Sequence, residues 1–248
     1  MPSALPVLNL SAYKFVALDD LPALRDRLFA LAHAAGIKGT VLLASEGINL
    51  FVAGAETAVR RWLDALRADP RLADLKPKES LSGSVPFKRL RVKVKHEIIR
   101  MNQPAVRPGE ERAPAVAPRT LARWLAQGHD DEGRPVVTLD TRNAFEVDQG
   151  AFEGAVDWRL AKFSDFPAAL RAHAAELAGK TVVSYCTGGI RCEKAALVMR
   201  DEGLAHVYQL DGGILRYFEE TEGAPHWRGG CFVFDERVAL DPQLKAQG

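Results

Sequence analysis

Apolar positions along the first hundred residues alternate between strand-like runs and helical stripes. Residues 7–16 read as a strand. Behind Asp20, which can cap a helix, Leu21, Leu24, Leu28 and Leu31 recur at helical spacing up to about Gly36. The runs 37–44 and 48–52, joined through Ser45-Glu46-Gly47, predict a hairpin. Val59, Trp62, Leu63 and Leu66 mark a second helix, and a last strand is predicted over 87–99. The resulting order β-α-β-β-α-β is the ferredoxin-like split βαβ arrangement, an α+β fold whose antiparallel sheet carries both helices on one face.

The second half has a different rhythm. Thr120 precedes the helical stripe Leu121, Trp124 and Leu125, and strands are predicted at 136–139, 155–158, 181–185 and 207–210. A helix follows the third of these to about Glu202, and Gly212-Gly213 introduces another short one. Strands alternating with helices predict an α/β domain with a mostly parallel sheet covered on both faces. Ligands bind such sheets at the carboxyl ends of the strands. Between the halves, residues 101–118 hold four prolines and no apolar period, which is linker composition. The expected domains are therefore 1–100 and 119–248.

Composition narrows the class without naming a function. With 248 residues, 47% hydrophobic and 26% charged, the chain is an ordinary globular protein. A net charge of +1 means that any nucleic-acid surface must be a local patch. Three cysteines make neither a disulfide framework nor a four-ligand zinc site, and no metal site is predicted. No apolar run approaches transmembrane length and no signal peptide is recognisable, so a cytoplasmic protein without a membrane partner is expected.

The strongest chemical signal is Cys186-Thr187-Gly188-Gly189-Ile190-Arg191. It follows the apolar run Val182-Val183-Ser184-Tyr185 and opens a helix. A cysteine so placed receives backbone N–H groups and the positive end of a helix dipole, which favour the thiolate over the thiol. The paired glycines let the backbone curl around the sulfur. Cys186 is assigned as a nucleophile rather than a packed core cysteine.

Other residues take supporting places. Asp140 and Arg142, at the end of the strand 136–139, should share the edge of the sheet with Cys186 and brace the loop as a structural ion pair. Arg191 could bind an anion or add positive potential near the sulfur. Cys192 reads as a packed residue at the edge of the loop in preference to a resolving thiol, and Cys231, in an edge strand predicted over Cys231-Phe232-Val233-Phe234, reads as core. His226 is a weak candidate base, without triad-like spacing.

A second signal is electrostatic. Between Lys76 and Arg100 eight Lys and Arg residues stand against Glu79 and Glu97. Strand alternation puts Arg89, Arg91, Lys93 and Lys95 on one face and Leu90, Val92 and Val94 on the other. Four aligned cations suit phosphate, whereas a merely solvated face usually mixes signs.

The carboxyl half resembles the rhodanese fold. The residues that carry this are Leu139-Asp140-Thr141-Arg142-Asn143 with Glu146, Gly150 and Gly154-Ala155, the Cys186 loop, and Gly212-Gly213. The whole chain is similar to a narrower family, the bacterial tRNA uridine hydroxylases, which join an acylphosphatase-like domain to a rhodanese domain. Distinctive stretches are Ala44-Ser45-Glu46-Gly47-Ile48-Asn49, the ten residues from Tyr185 to Lys194, and Cys231-Phe232-Val233-Phe234-Asp235-Glu236-Arg237-Val238.

The resemblance implies oxygen-dependent conversion of the wobble uridine, position 34 of tRNA, to 5-hydroxyuridine, with Cys186 as the active cysteine and a persulfide by analogy with rhodaneses. Molecular oxygen would be co-substrate; no flavin, haem or nicotinamide motif is evident, and the sequence names no reductant. The implied partner is tRNA at its anticodon, and no obligate protein partner is evident.

Three rival readings compete with this one. Cys-based phosphatases of related fold use a longer loop, Cys-x5-Arg, whereas Arg191 lies five residues after Cys186. A sulfurtransferase that passes a Cys186 persulfide to an acceptor is the main alternative. Thr187 sits where many thiosulfate-using rhodaneses carry a cation, which argues against thiosulfate. A catalytically silent RNA-binding module would leave the intact loop unexplained.

Overall fold

The alternating first half builds β1 (Val7–Phe15), α1 (Leu21–Ala34), β2 (Lys38–Ala44), β3 (Gly47–Ala55), α2 (Glu56–Arg67), β4 (Lys78–Ser82) and β5 (Leu90–Val94). These come from a computed structural model that describes residues 6–247. The described chain divides into two units. The first is residues 6–99 with Phe234–Val238, and the second is Arg100–Val233 with Ala239–Gln247.

In the first unit the sheet order is β4-β1-β3-β2-β5. Strand β1 runs antiparallel to β3 and β4, and β3 antiparallel to β2, which is the expected ferredoxin-like pairing. Two expectations need correction. The fourth strand of that pattern is β4, not 87–99. Its sequence Lys-Glu-Ser-Leu-Ser shows no apolar alternation, because an edge strand pairs on one side and is half solvated. The basic segment forms only the five-residue β5, which joins β2 in parallel at the opposite edge, so the sheet is mixed.

Leu8, Leu10, Val41, Leu43, Ile48, Leu50 and Val52 share one sheet face and pack on Leu24 and Leu28 of α1 and on Val59, Trp62, Leu63 and Leu66 of α2. The stripe of α1 differs in detail from its reading: Leu31 is exposed and Ala32 is buried instead. Asp20 makes no side-chain cap; its carboxylate accepts from Arg71.

The opposite sheet face receives a segment from far along the chain. Phe234 packs on Phe51 with ring centroids 6.0 Å apart. Arg237 Nη1 donates to Ser80 Oγ at 2.8 Å while Asp235 holds the same guanidinium at 2.6 Å. These residues, expected within 119–248, belong to the first unit.

The second unit contains β6 (Ala115–Val116), α3 (Pro118–Gln127), β7 (Val136–Asp140), α4 (Ala144–Val147), β8 (Gly150–Phe152), α5 (Phe166–His173), β9 (Thr181–Tyr185), α6 (Ile190–Asp201), β10 (Val207–Leu210), α7 (Gly213–Glu220), β11 (Trp227–Gly229), β12 (Cys231–Phe232) and β13 (Ala239–Leu240). The sheet β6-β10-β9-β7 is parallel throughout. The strand expected at 155–158 is reduced to a single bridge between Val156 and Leu139, and β8 forms just before it, paired with β11. The proline-rich stretch 101–118 contributes structure rather than free chain. Met101 and Ala113 are buried, Ala115–Val116 form an edge strand, and Pro118 opens α3.

The core of this unit joins Val183 and Tyr185 of β9 to Leu121 and Trp124 of α3, Ile214 and Tyr217 of α7, and Cys231. Phe152 sits at its centre, edge-on to Tyr185, Tyr217 and Trp227 at 4.8–5.0 Å. Such T-shaped contacts suit the ring quadrupoles and fix the platform from which the carboxyl ends of β7 and β9 emerge.

Candidate active site

Strand β9 is buried along its whole length and ends at Tyr185, so Cys186 stands where the chain turns into α6. Gly189, at φ +100°, supplies the left-handed residue that the turn requires, and its N–H donates to Cys186 Sγ at 3.1 Å. The loop is held from behind by α7. Ile214 and Leu215 donate their N–H groups to the carbonyls of Cys186 and Thr187 at 3.0 and 3.1 Å. A Cβ at Gly213 would lie 2.4 Å from the Cys186 oxygen, so this approach requires glycine.

Burial alone would push the Cys186 thiol up. A hydrogen bond from the Cys192 thiol, the charge of Arg191 and the N–H groups of Arg191 and Gly189 outweigh it and bring Cys186 down to about 5. This environment favours the thiolate over the thiol. Cys192 moves the opposite way, well above an ordinary thiol, through burial and its bond to the Cys186 sulfur. The expectation for Cys192 is packing at the loop edge. It is indeed buried, 3.8 Å from the Thr141 hydroxyl, but it also touches the Cys186 sulfur.

Arg191 is buried. Its Nη1 and Nη2 donate to the two oxygens of Glu146 at 2.5 and 2.7 Å. Of its two expected roles, the geometry provides positive potential at Cys186, while both terminal nitrogens are taken up by Glu146. Glu146 enters the sequence reading only as part of a signature. It caps α4 through the Asn143 N–H and reaches the loop across 45 positions of sequence.

Asp140 and Arg142 form a fully buried ion pair, with Arg142 Nη2 also donating to the Gly150 carbonyl at 2.7 Å. The guanidinium lies over the rings of Tyr185 and Trp227, 5.6 and 5.5 Å from their centroids. Asp140 pairs in register with Tyr185, and the Thr141 N–H and hydroxyl both donate to the Tyr185 carbonyl. This brace joins β7 to the root of the loop.

Thr187 Oγ1 donates to the Phe232 carbonyl at 3.3 Å, which brings β12 and Cys231 against the loop. Cys231 is buried and its thiol is pushed up to about 12, mainly by burial. His226 sits at φ +62° before β11, where its carbonyl accepts from the Glu153 N–H, and nothing in this geometry supports it as a base. Among the described residues, no group of three or more His, Cys, Asp or Glu side chains is placed to hold a metal ion, and no helix is long and apolar enough to cross a membrane.

In the first unit Arg89, Arg91, Lys93 and Lys95 are all exposed along β5 and its flanks. Leu90 and Val92 turn to the core as alternation requires, but Val94, expected beside them, is exposed at the end of the strand. Register places Arg91 beside Thr40 and Lys93 beside Leu42, on the sheet face away from α1 and α2.

Family models match both halves: an acylphosphatase-like domain designated UPF0176 over residues 7–98, and a rhodanese-like domain over 121–220. A protein of Delftia acidovorans named tRNA uridine(34) hydroxylase is 67% identical over 96% of this chain and 90% of its own length. The chain belongs to the tRNA uridine(34) hydroxylase family. Proteins of the same name from Bordetella petrii, 66% identical over 98% of this chain and 96% of their own, and Variovorax paradoxus, 62% identical over 97% and 91%, agree. The expected architecture, an acylphosphatase-like α+β domain followed by a rhodanese-like α/β domain, is thereby established for this chain.

Proposed function

We propose that this protein hydroxylates uridine 34 of tRNA, the wobble position, to 5-hydroxyuridine in the cytoplasm. Molecular oxygen is the co-substrate and Cys186 the reactive sulfur. The observation that carries the reading is the buried Cys186 sulfur, which accepts the Gly189 N–H and lies beside Cys192 and the Arg191 charge, in a chain two-thirds identical to proteins named for that reaction. Asp140, Arg142 and Glu146 support the loop without touching substrate. Thr187, Gly188, Gly189 and Ile190 line its turn. Arg89, Arg91, Lys93 and Lys95 take the RNA backbone, since a row of exposed cations neutralises phosphates without reading bases.

The test is nucleoside mass spectrometry of tRNA from cells lacking the protein, complemented with the wild type or with Cys186→Ser. The wild type should restore 5-hydroxyuridine and Cys186→Ser should not. Loss of a thiolated nucleoside instead would establish the sulfurtransferase alternative, which uses the same thiolate.

A further inference from the structure

Phe145 is a large apolar side chain left 48% exposed, and it sits beside the loop rather than at random on the surface. Three links place it there. It immediately precedes Glu146, whose carboxylate holds Arg191 of the loop. Its ring meets the ring of Phe232 edge-on, with centroids 5.2 Å apart and planes at 83°. The Phe232 carbonyl in turn accepts from Thr187, the residue after Cys186. Gly188 alone among residues 186–191 is not buried, and a Cβ built on it would meet no atom within 4 Å beyond its chain neighbours, so the loop opens at its third position.

We infer that Phe145, backed by Phe232, is the stacking platform on which the uracil of the target nucleotide rests at the mouth of the Cys186 loop. This rests on the function proposed above. An enzyme that works on a base must take it out of its stack and offer another face in exchange. Aromatic side chains provide that face, and an edge-to-face pair leaves the flat side of one ring available. Uracil is neutral, so an apolar ring suits it where a cation would suit phosphate. The short helix α4 fixes the ring in place, since the Glu146 carboxylate accepts from the Asn143 N–H and closes its first turn. Phe145 is thus a positioning residue for the base, distinct from the cations of β5 that hold the backbone.

The experiment uses the full chain and two anticodon stem-loop RNAs, one with uridine at position 34 and one abasic there. The wild type should prefer the uridine RNA by roughly tenfold, the effect of one base–aromatic stack. Phe145→Ala should lose that preference while binding the abasic RNA as the wild type does. Phe145→Tyr should keep it and Phe145→Leu should not, which separates stacking from simple apolar filling. Thermal melting confirms that each variant is folded. Retained preference in Phe145→Ala, or equal rescue by leucine, overturns the assignment even when the wild type makes 5-hydroxyuridine. A wild type that makes no 5-hydroxyuridine and shows no preference overturns the underlying function as well.

Discussion

Glu146 grips Arg191 through both of its oxygens, and neither side chain reaches solvent to any extent. The pair fastens α4 to the first turn of α6, so the nucleophile loop is closed by an ion pair between elements 45 residues apart. Buried pairs of this kind add little net stability but are costly to break, because the remaining partner keeps its charge without compensation.

Glu146→Gln should therefore destabilise the protein by about 3–5 kcal/mol, read as a lower melting temperature. Replacing both residues together, as Glu146→Leu with Arg191→Leu, should recover much of the loss, since no charge is then stranded. Equal melting of Glu146→Gln and wild type would show that the carboxylate charge is irrelevant to the fold.

Cys186 lies below the ordinary thiol range, so its charged form persists as pH falls. The stabilisation that comes with the thiolate is present at high pH and is lost as pH drops through about 5. The difference in ultraviolet thiolate absorbance between wild type and Cys186→Ser should titrate with a midpoint near that value. Cys192→Ala removes a hydrogen-bond donor from the sulfur and should move the midpoint upward, whereas Cys192→Ser keeps a donor and should move it less. A wild-type midpoint near that of an ordinary free thiol, about 8.5, would refute the account of the loop.

Gly213 and Gly223 share nearly the same left-handed backbone, at φ +68° and +69°, but not the same surroundings. A Cβ at Gly213 meets the Cys186 carbonyl at 2.4 Å and the Gly189 nitrogen at 2.7 Å, while one at Gly223 meets nothing within 4 Å. Gly223→Ala should lose only about 1–2 kcal/mol, the cost of a left-handed alanine. Gly213→Ala should lose more stability and nearly all tRNA modification, because the loop must give way. Similar melting curves and activities for the two variants would remove Gly213 from the support of the loop.

Reversal of Arg91 and Lys93 to glutamate should weaken tRNA binding across sequences and flatten its dependence on salt, the slope falling by roughly one for each phosphate no longer neutralised. Both side chains are exposed, so melting should barely change. Affinity measured at two salt concentrations decides the matter: an unaltered slope in the folded variant would mean RNA binds elsewhere.

What can be read in the sequence is local. Cys186, Gly189 and Arg191 lie within six residues of one another, so strand, turn and helix signals suffice to find them, whereas Cys192 reads only as a packed residue. The same holds for the Asp140–Arg142 brace, two residues apart. Glu146 carries no such signal, because its partner is reached only after the sheet has formed. Strand β4 escapes because its edge position tolerates a polar sequence, and β5 is overextended because apolar residues, Phe87 before it and Ile98 and Ile99 after it, lie beyond its paired residues. Cys231 reads as core in an edge strand over 231–234, and it is buried in β12, but its place against Thr187 is a contact between distant elements that no local pattern announces.

The return of Phe234–Val238 to the sheet of the first unit has a consequence for synthesis. Strands β1 to β5 leave the ribosome long before this segment exists; at roughly 5–20 residues per second the delay is on the order of ten seconds. Throughout that interval the face bearing Phe51 and Ser80 lacks its own covering. The part of the chain that is made first is thus among the last to be finished.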